Sequence, residues 1–147
     1  MSVVTWDAVL EMAVRLGRNA FIASLGPQGQ PHLAVVWVVA PDGRFHFVSD
    51  RSAVKAKNLA ADPSVAVHWQ VVEDGPNEGL QLFVRGTATL VEAPEERLRL
   101  WDSGAWGDLS QWYANAQDPT LAFIRIDAVR ASIVESYGSG DRRTWRR

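Results

Sequence analysis

The sequence predicts a mainly β domain with flanking helices (α+β), its six or seven antiparallel strands curling into a small closed or split barrel. Three observations predict it. Of the 147 residues, 47% are apolar and 22% charged, the composition of one globular domain with its own core. Runs of β-branched and aromatic residues are joined by short segments of turn formers, which argues for antiparallel neighbours. So many strands in so short a chain would also leave raw edges unless the sheet closed or was covered.

The elements follow in order. Between residues 5 and 16, Trp6, Val9, Leu10, Ala13 and Leu16 recur at helical spacing, with Thr5 placed to cap and Gly17 to stop. Residues 20–25 and 32–40 are β-rich runs separated by Gly26-Pro27-Gln28-Gly29-Gln30-Pro31, a hairpin signal. Pro41-Asp42-Gly43 turns the chain into a third strand over 44–49, where Phe45 and Phe47 alternate with His46 and Val48. Residues 52–61 read as a short helix ended by Asp62-Pro63, and residues 64–72 resume alternation with Val65, Val67 and Trp69. A polar loop over 73–79 leads to a long strand at 80–91. Pro94-Glu95-Glu96 opens a further helix, with proline and acids where a first turn favours them. A second helical piece is expected at 108–116, and two last strands at 121–126 and 131–137, before a basic tail over 137–147. No linker or repeat divides the chain, so residues 1–147 read as one domain.

Composition removes whole classes of chemistry. With no cysteine, disulfides, thiolate zinc sites and cysteine nucleophiles are excluded. His32, His46 and His68 sit on three different predicted strands without metal-ligand spacing, so no metal is expected. The longest apolar run, residues 33–40, is far short of the roughly 20 residues a membrane helix needs. The first residues carry no secretory pattern, so the expectation is a cytoplasmic protein with no membrane association. Residues 1–140 carry 11 basic and 16 acidic side chains, and 141–147 four arginines and one aspartate, a poor footprint for nucleic acid. Glu73, Asp74 and Glu78 in a polar loop, like Glu95 and Glu96 at a helix start, read as solvated charge, and no acid/base dyad is apparent.

Thirteen of the 15 basic residues are arginine; the two lysines, Lys55 and Lys57, stand two apart in the segment Phe45-His46-Phe47-Val48-Ser49-Asp50-Arg51-Ser52-Ala53-Val54-Lys55-Ala56-Lys57-Asn58-Leu59. A strand running into a helix start that bears hydroxyls and cations suits a phosphate, because first-turn N–H groups and ammonium ions make charge-assisted bonds to it. Walker-type glycine spacing is absent, so nucleotide hydrolysis is not suggested.

With Ala61-Asp62-Pro63-Ser64-Val65-Ala66-Val67 following, this segment resembles the pyridoxamine 5′-phosphate oxidase-like, FMN-binding split-barrel family. The later stretch from Leu100-Trp101 and Trp112 through Asp118-Pro119 to Ile124-Arg125-Ile126 is similar to its general-stress-protein branch, and the likeness spans residues 5–137. The resemblance implies an FMN-dependent oxidoreductase moving hydride or electrons to or from a small organic substrate, working as a homodimer with the cofactor at the interface. It places Val35, Val36 and Trp37 beside the isoalloxazine, Ser49 and Asp50 near the ribityl chain, Ser52, Lys55 and Lys57 near the phosphate, and Trp69 packing nearby. Many relatives have arginine just before the lysine where this chain has Val54, which turns attention to Arg51 or Lys57 as a second cation. A related branch binds the deazaflavin coenzyme F420, so an F420-dependent reductase is the alternative, and a flavin-binding stress-related protein without turnover the second. The seven tryptophans read as packing and interface residues, with Trp101, Trp106 and Trp112 covering the barrel or capping a partner's site.

Overall fold

The structure, a computed structural model, describes residues 2–72, 79–135 and 142–147. The polar loop expected from residue 73, up to residue 78, and the chain around residue 137 lie outside the described residues. The strands are β1 (Ser2–Val3), β2 (Asn19–Leu25), β3 (Pro31–Trp37), β4 (His46–Asp50), β5 (Ser64–Val72), β6 (Gly79–Leu90), β7 (Leu121–Val134) and β8 (Arg142–Arg146). The helices are α1 (Trp6–Leu16), α2 (Val54–Ala61) and α3 (Pro94–Asp102). Neighbours run β8-β7-β6-β5-β2-β3, all antiparallel, with β4 pairing β7 and β1 adding to β8 in parallel. Among the described residues β3 and β4 are joined by the isolated bridge between Val39 and His46 rather than by a ladder. The expected split barrel with flanking helices is therefore what the chain forms. No helix among the described residues is long and apolar enough to cross a membrane.

Thr5 caps α1 by accepting from the Ala8 N–H at 3.2 Å, and Gly17 ends it at φ 90°, a conformation that favours glycine. The apolar stripe buries Val9, Met12, Ala13 and Leu16 against the barrel. The barrel interior is filled by residues such as Ile22, Phe45, Phe47, Val67, Trp69, Leu82, Ile124 and Ile133. A second, smaller core of Val91, Leu100, Trp106, Leu109, Leu121 and Phe123 lies under α3 and the segment after it. Phe45, His46 and Phe47 are consequently all buried, where simple alternation would have exposed His46.

Three expectations are corrected. The two last strands at 121–126 and 131–137 are, as far as described, one strand, β7, without a turn between them. Asp127, which reads as a turn former, is instead held by Arg125, Thr89 and Arg44. The ladder accommodates a bulge there, Arg85 opposing Arg130 and Gly86 opposing Ala128. A Cβ at Gly86 would run into the Asp127 carbonyl, so glycine is what permits the close approach. The basic tail, over residues 142–146, is the strand β8: Thr144 is buried and the Trp145 ring packs 4.6 Å from that of Trp6. The helix expected at 108–116 is reduced to a 3₁₀ turn at Leu109–Gln111. Asn115 and Asp118 side chains accept from the Gln117 and Ala114 N–H groups, local bonds that compete with helix.

Candidate functional site

At the end of β4 the chain leaves the barrel and enters α2. Ala53 sits at the N-cap with extended backbone, provides no side-chain cap, and no acid occupies the first turn. The first N–H groups of a helix have no intrahelical acceptor, so here they stay available, and the positive end of the helix dipole is uncompensated. Ser52 is exposed, Lys55 half-buried and Lys57 exposed, and among the described residues neither lysine forms an ion pair. Ala56 and Leu59 anchor the other side of α2 in the core, and the buried Asn58 amide donates to Ser24 Oγ at 3.1 Å, tying the helix to β2.

The neighbouring candidates are engaged differently. Arg51 donates to Glu92 at 2.8 Å and to the Pro119 and Leu121 carbonyls at 3.1 and 3.4 Å, bracing the junction against the start of β7. Buried Ser49 turns its hydroxyl onto the Asp50 carbonyl at 2.9 Å. Asp50 accepts from the Tyr113 hydroxyl at 2.6 Å. Burial first, then this carboxylate, push the Tyr113 hydroxyl far above its ordinary pKa, so it remains a donor.

Along β3 the register decides which backbone groups are available. Val38 N–H donates to the Arg18 carbonyl at 2.9 Å and Gly26 N–H to Gln30 at 2.8 Å. The alternating pairs Ala20·Val36, Ile22·Ala34 and Ser24·His32 are therefore the hydrogen-bonded ones, and the backbone groups of Leu33, Val35 and Trp37 point away from β2. The Trp37 carbonyl accepts from Trp106 Nε1 at 3.3 Å. Since β3 ends the strand path, Leu33 and Val35 present an open edge, whereas Val36 bonds inward and buries its side chain. The Trp37 ring is half-exposed beneath the Arg18 guanidinium, 5.6 Å from the ring centre. Trp69 lies inside the barrel, 1% exposed, packed 5.1 Å from Phe45. The structure thus brings Ser49 through Lys57 together at one junction and sets α2 against β2 and β3, while Trp69 stands apart in the core.

Sequence reasoning missed a concavity of about 580 Å³ on the outer face of β2, β5 and β6. Phe21, His68 and Phe83 form its aromatic floor, the His68 ring stacked on Phe83 at 4.4 Å and 14°. Arg85, Arg130 and Arg142 stand at its margin. The signal lay in the outward phase of β6, where Phe83 and Arg85 alternate with core residues, but the convergence of six strands was not visible. Burial lowers the pKa of both His68 and His46, keeping each ring neutral near pH 7. Among the described residues no group of three potential metal ligands exists.

Trp106 is buried in the second core and Trp101 packs against it, so these two cover the barrel; Trp112 is 65% exposed.

The chain is thus a split β-barrel in which an uncapped, lysine-bearing helix start lies near the open edge of β3. Residues 10–135 match the family described as pyridoxamine 5′-phosphate oxidase, and the chain belongs to that family. The fold is similar to a heme binding protein from Mycobacterium smegmatis, with a TM-score of 0.75 and 17% identity over 97% of this chain, which spans 59% of that protein. It is also similar to general stress protein 26 from Bacillus anthracis, with a TM-score of 0.65 and 19% identity over 86% of this chain and 93% of the other. A Clostridium acetobutylicum protein related to general stress protein 26, of the pyridoxinephosphate oxidase family, gives a TM-score of 0.72 and 15% identity, covering 97% and 96%. No curated protein matches the sequence.

Proposed function

We propose that this protein is a cytoplasmic, homodimeric FMN-binding oxidoreductase that moves hydride or electrons to or from a small organic molecule. The observation that carries the reading is the start of α2, where the helix is uncapped, Ser52 is exposed, and Lys55 and Lys57 have no ion-pair partner among the described residues. That donor set fits a phosphate monoester. Lys55, Lys57, Ser52 and the first-turn N–H groups would hold it, with Arg51 and Asp50 fixing the junction through Glu92 and Tyr113. The open edge of β3 at Leu33 and Val35 suits the polar rim of a flat heterocycle. When bound, the flavin supplies the redox chemistry, and the chain's residues orient it, exclude water and select what stacks upon it. No general base from the protein is required.

The exposed apolar residues Phe21, Leu33, Val35 and Phe83 share one face of the sheet, which supports burial against a second copy.

The test is a pair of titrations followed by fluorescence, with FMN and with riboflavin, which lacks the phosphate. FMN binding at least about tenfold tighter is the expected result, the worth of one or two charge-assisted bonds. Equal affinities would remove the phosphate role of α2, and binding of neither would overturn the proposal. Preference for F420 over FMN would move the protein to the deazaflavin reductases. Saturable FMN binding without reduction by NAD(P)H or reduced F420 would make it a binding protein.

A further inference from the structure

Asp and Asn side chains at turns in this chain follow a local habit that Asp50 breaks. Asp62, Asp108, Asn115 and Asp118 each accept from the backbone N–H two residues on, that of Ser64, Ser110, Gln117 and Thr120, at 3.1, 3.0, 2.9 and 2.9 Å. Such a side chain closes a turn locally, and a carboxylate beside a helix start is favoured further by the helix dipole. Asp50 has both reasons to do the same. It opens the turn that leads into α2, its carbonyl accepting from the Ala53 N–H at 3.0 Å. Two positions on is Ser52, whose N–H donates to no backbone acceptor among the described residues. α2 itself has no side-chain cap and no acid in its first turn. The Asp50 carboxylate nevertheless turns away, to the Tyr113 hydroxyl at 2.6 Å, from a residue 63 positions along the chain.

That hydroxyl is held in place from behind. The Tyr113 N–H donates to the Leu109 carbonyl at 3.0 Å, the Ala114 N–H to the Asp118 carboxylate at 2.8 Å, and Leu109 and Ala116 on either side are buried. Upstream in the same segment, buried Trp106 donates to the Trp37 carbonyl at 3.3 Å. The second core thus imposes the bond on an exposed carboxylate whose local preference lies elsewhere. We propose that Tyr113 is a positioning residue for the anion site at the start of α2: by holding the Asp50 carboxylate, it keeps the Ser52 N–H and the first-turn N–H groups available to a phosphate. Without the hydroxyl, the carboxylate turns onto those donors, caps the helix, and opposes a phosphate by occupying its hydrogen bonds and by like charge. This role rests on the phosphate reading of α2 and adds to it an internal competitor that the site must exclude.

Tyr113→Phe removes the hydroxyl and keeps the ring. FMN and riboflavin are titrated by fluorescence into the parent protein, Tyr113→Phe and Tyr113→Phe/Asp50→Ala, and all three are melted without cofactor. FMN affinity should fall at least about tenfold in Tyr113→Phe while riboflavin affinity holds, and removing the carboxylate in the double variant should recover most of the loss. A hydroxyl with a merely structural role would weaken both ligands together, and a second substitution would not repair it. Without cofactor the double variant should melt below Tyr113→Phe, because Asp50 has by then become the helix cap. Unchanged FMN affinity in Tyr113→Phe, a loss that Asp50→Ala fails to recover, or equal melting temperatures of the two variants would overturn the proposal. Equal FMN and riboflavin affinities in the parent protein would instead reject the phosphate reading, and the cofactor-free comparison would still decide whether Tyr113 restrains Asp50.

Discussion

Lys55 is the residue at the β4–α2 junction whose single substitution bears most directly on phosphate binding. Its ammonium stands at a helix start that lacks a side-chain cap, so Lys55→Ala is expected to weaken FMN binding by about 1–3 kcal/mol while leaving riboflavin unaffected. An unchanged FMN affinity in a folded variant would remove that role. Asp127 offers a test independent of any ligand. Burial would raise its pKa, but bonds from Arg125, Thr89 and Arg44 outweigh this and hold it below the ordinary carboxylate value. A carboxyl with a depressed folded pKa contributes stability above its unfolded pKa and loses it as pH falls through the folded one. The melting temperature should therefore drop below about pH 4, and Asp127→Asn should flatten that drop; an identical pH profile would assign it to other carboxylates. Both residues were in plain view in the sequence, yet only Lys55 could be given a role from it. The partners of Asp127 include two residues far away along the chain, Arg44 and Thr89, and no local pattern reveals them.

Elements with local causes were legible. Helix α1 begins after its threonine and ends at its glycine as the periodicity indicates, and β5 covers Ser64–Val72, the expected span. Elements whose character comes from the other side of the molecule were not. β7 reads as two strands because polar residues interrupt it, and the end of the chain reads as a solvated tail because four arginines dominate it. What makes β8 a strand is the inward placement of Thr144 and the contact of Trp145 with Trp6, a partner 139 positions away. The bulge between β6 and β7 gives the element-scale prediction. Gly86→Ala should destabilise the protein by about 1–3 kcal/mol in urea unfolding, since its Cβ meets backbone that cannot retreat as a side chain would. Thr87→Ala, at an exposed neighbour, should be near neutral. Equal effects of the two would show that the ladder relaxes and that glycine is not required.

For the whole molecule, the junction at residues 49–57 was legible because its chemistry is contiguous in sequence, whereas the outer concavity draws on β2, β3, β5, β6, β7 and β8 at once. The same face carries Leu33 at 65% and Val35 at 57% exposure, more apolar surface than a lone barrel gains by showing. Val35→Asp is expected to yield a monomer in sedimentation velocity and to weaken FMN binding with it; a dimer that persists would put the contact elsewhere. The central claim is that two copies hold FMN between them, and native mass spectrometry of the protein titrated with FMN tests it most directly. Two 16.3 kDa chains carrying two FMN molecules are expected, with the dimer depleted of cofactor when riboflavin replaces FMN. A monomer that takes up no FMN, or a dimer whose mass is unchanged by it, would contradict the account.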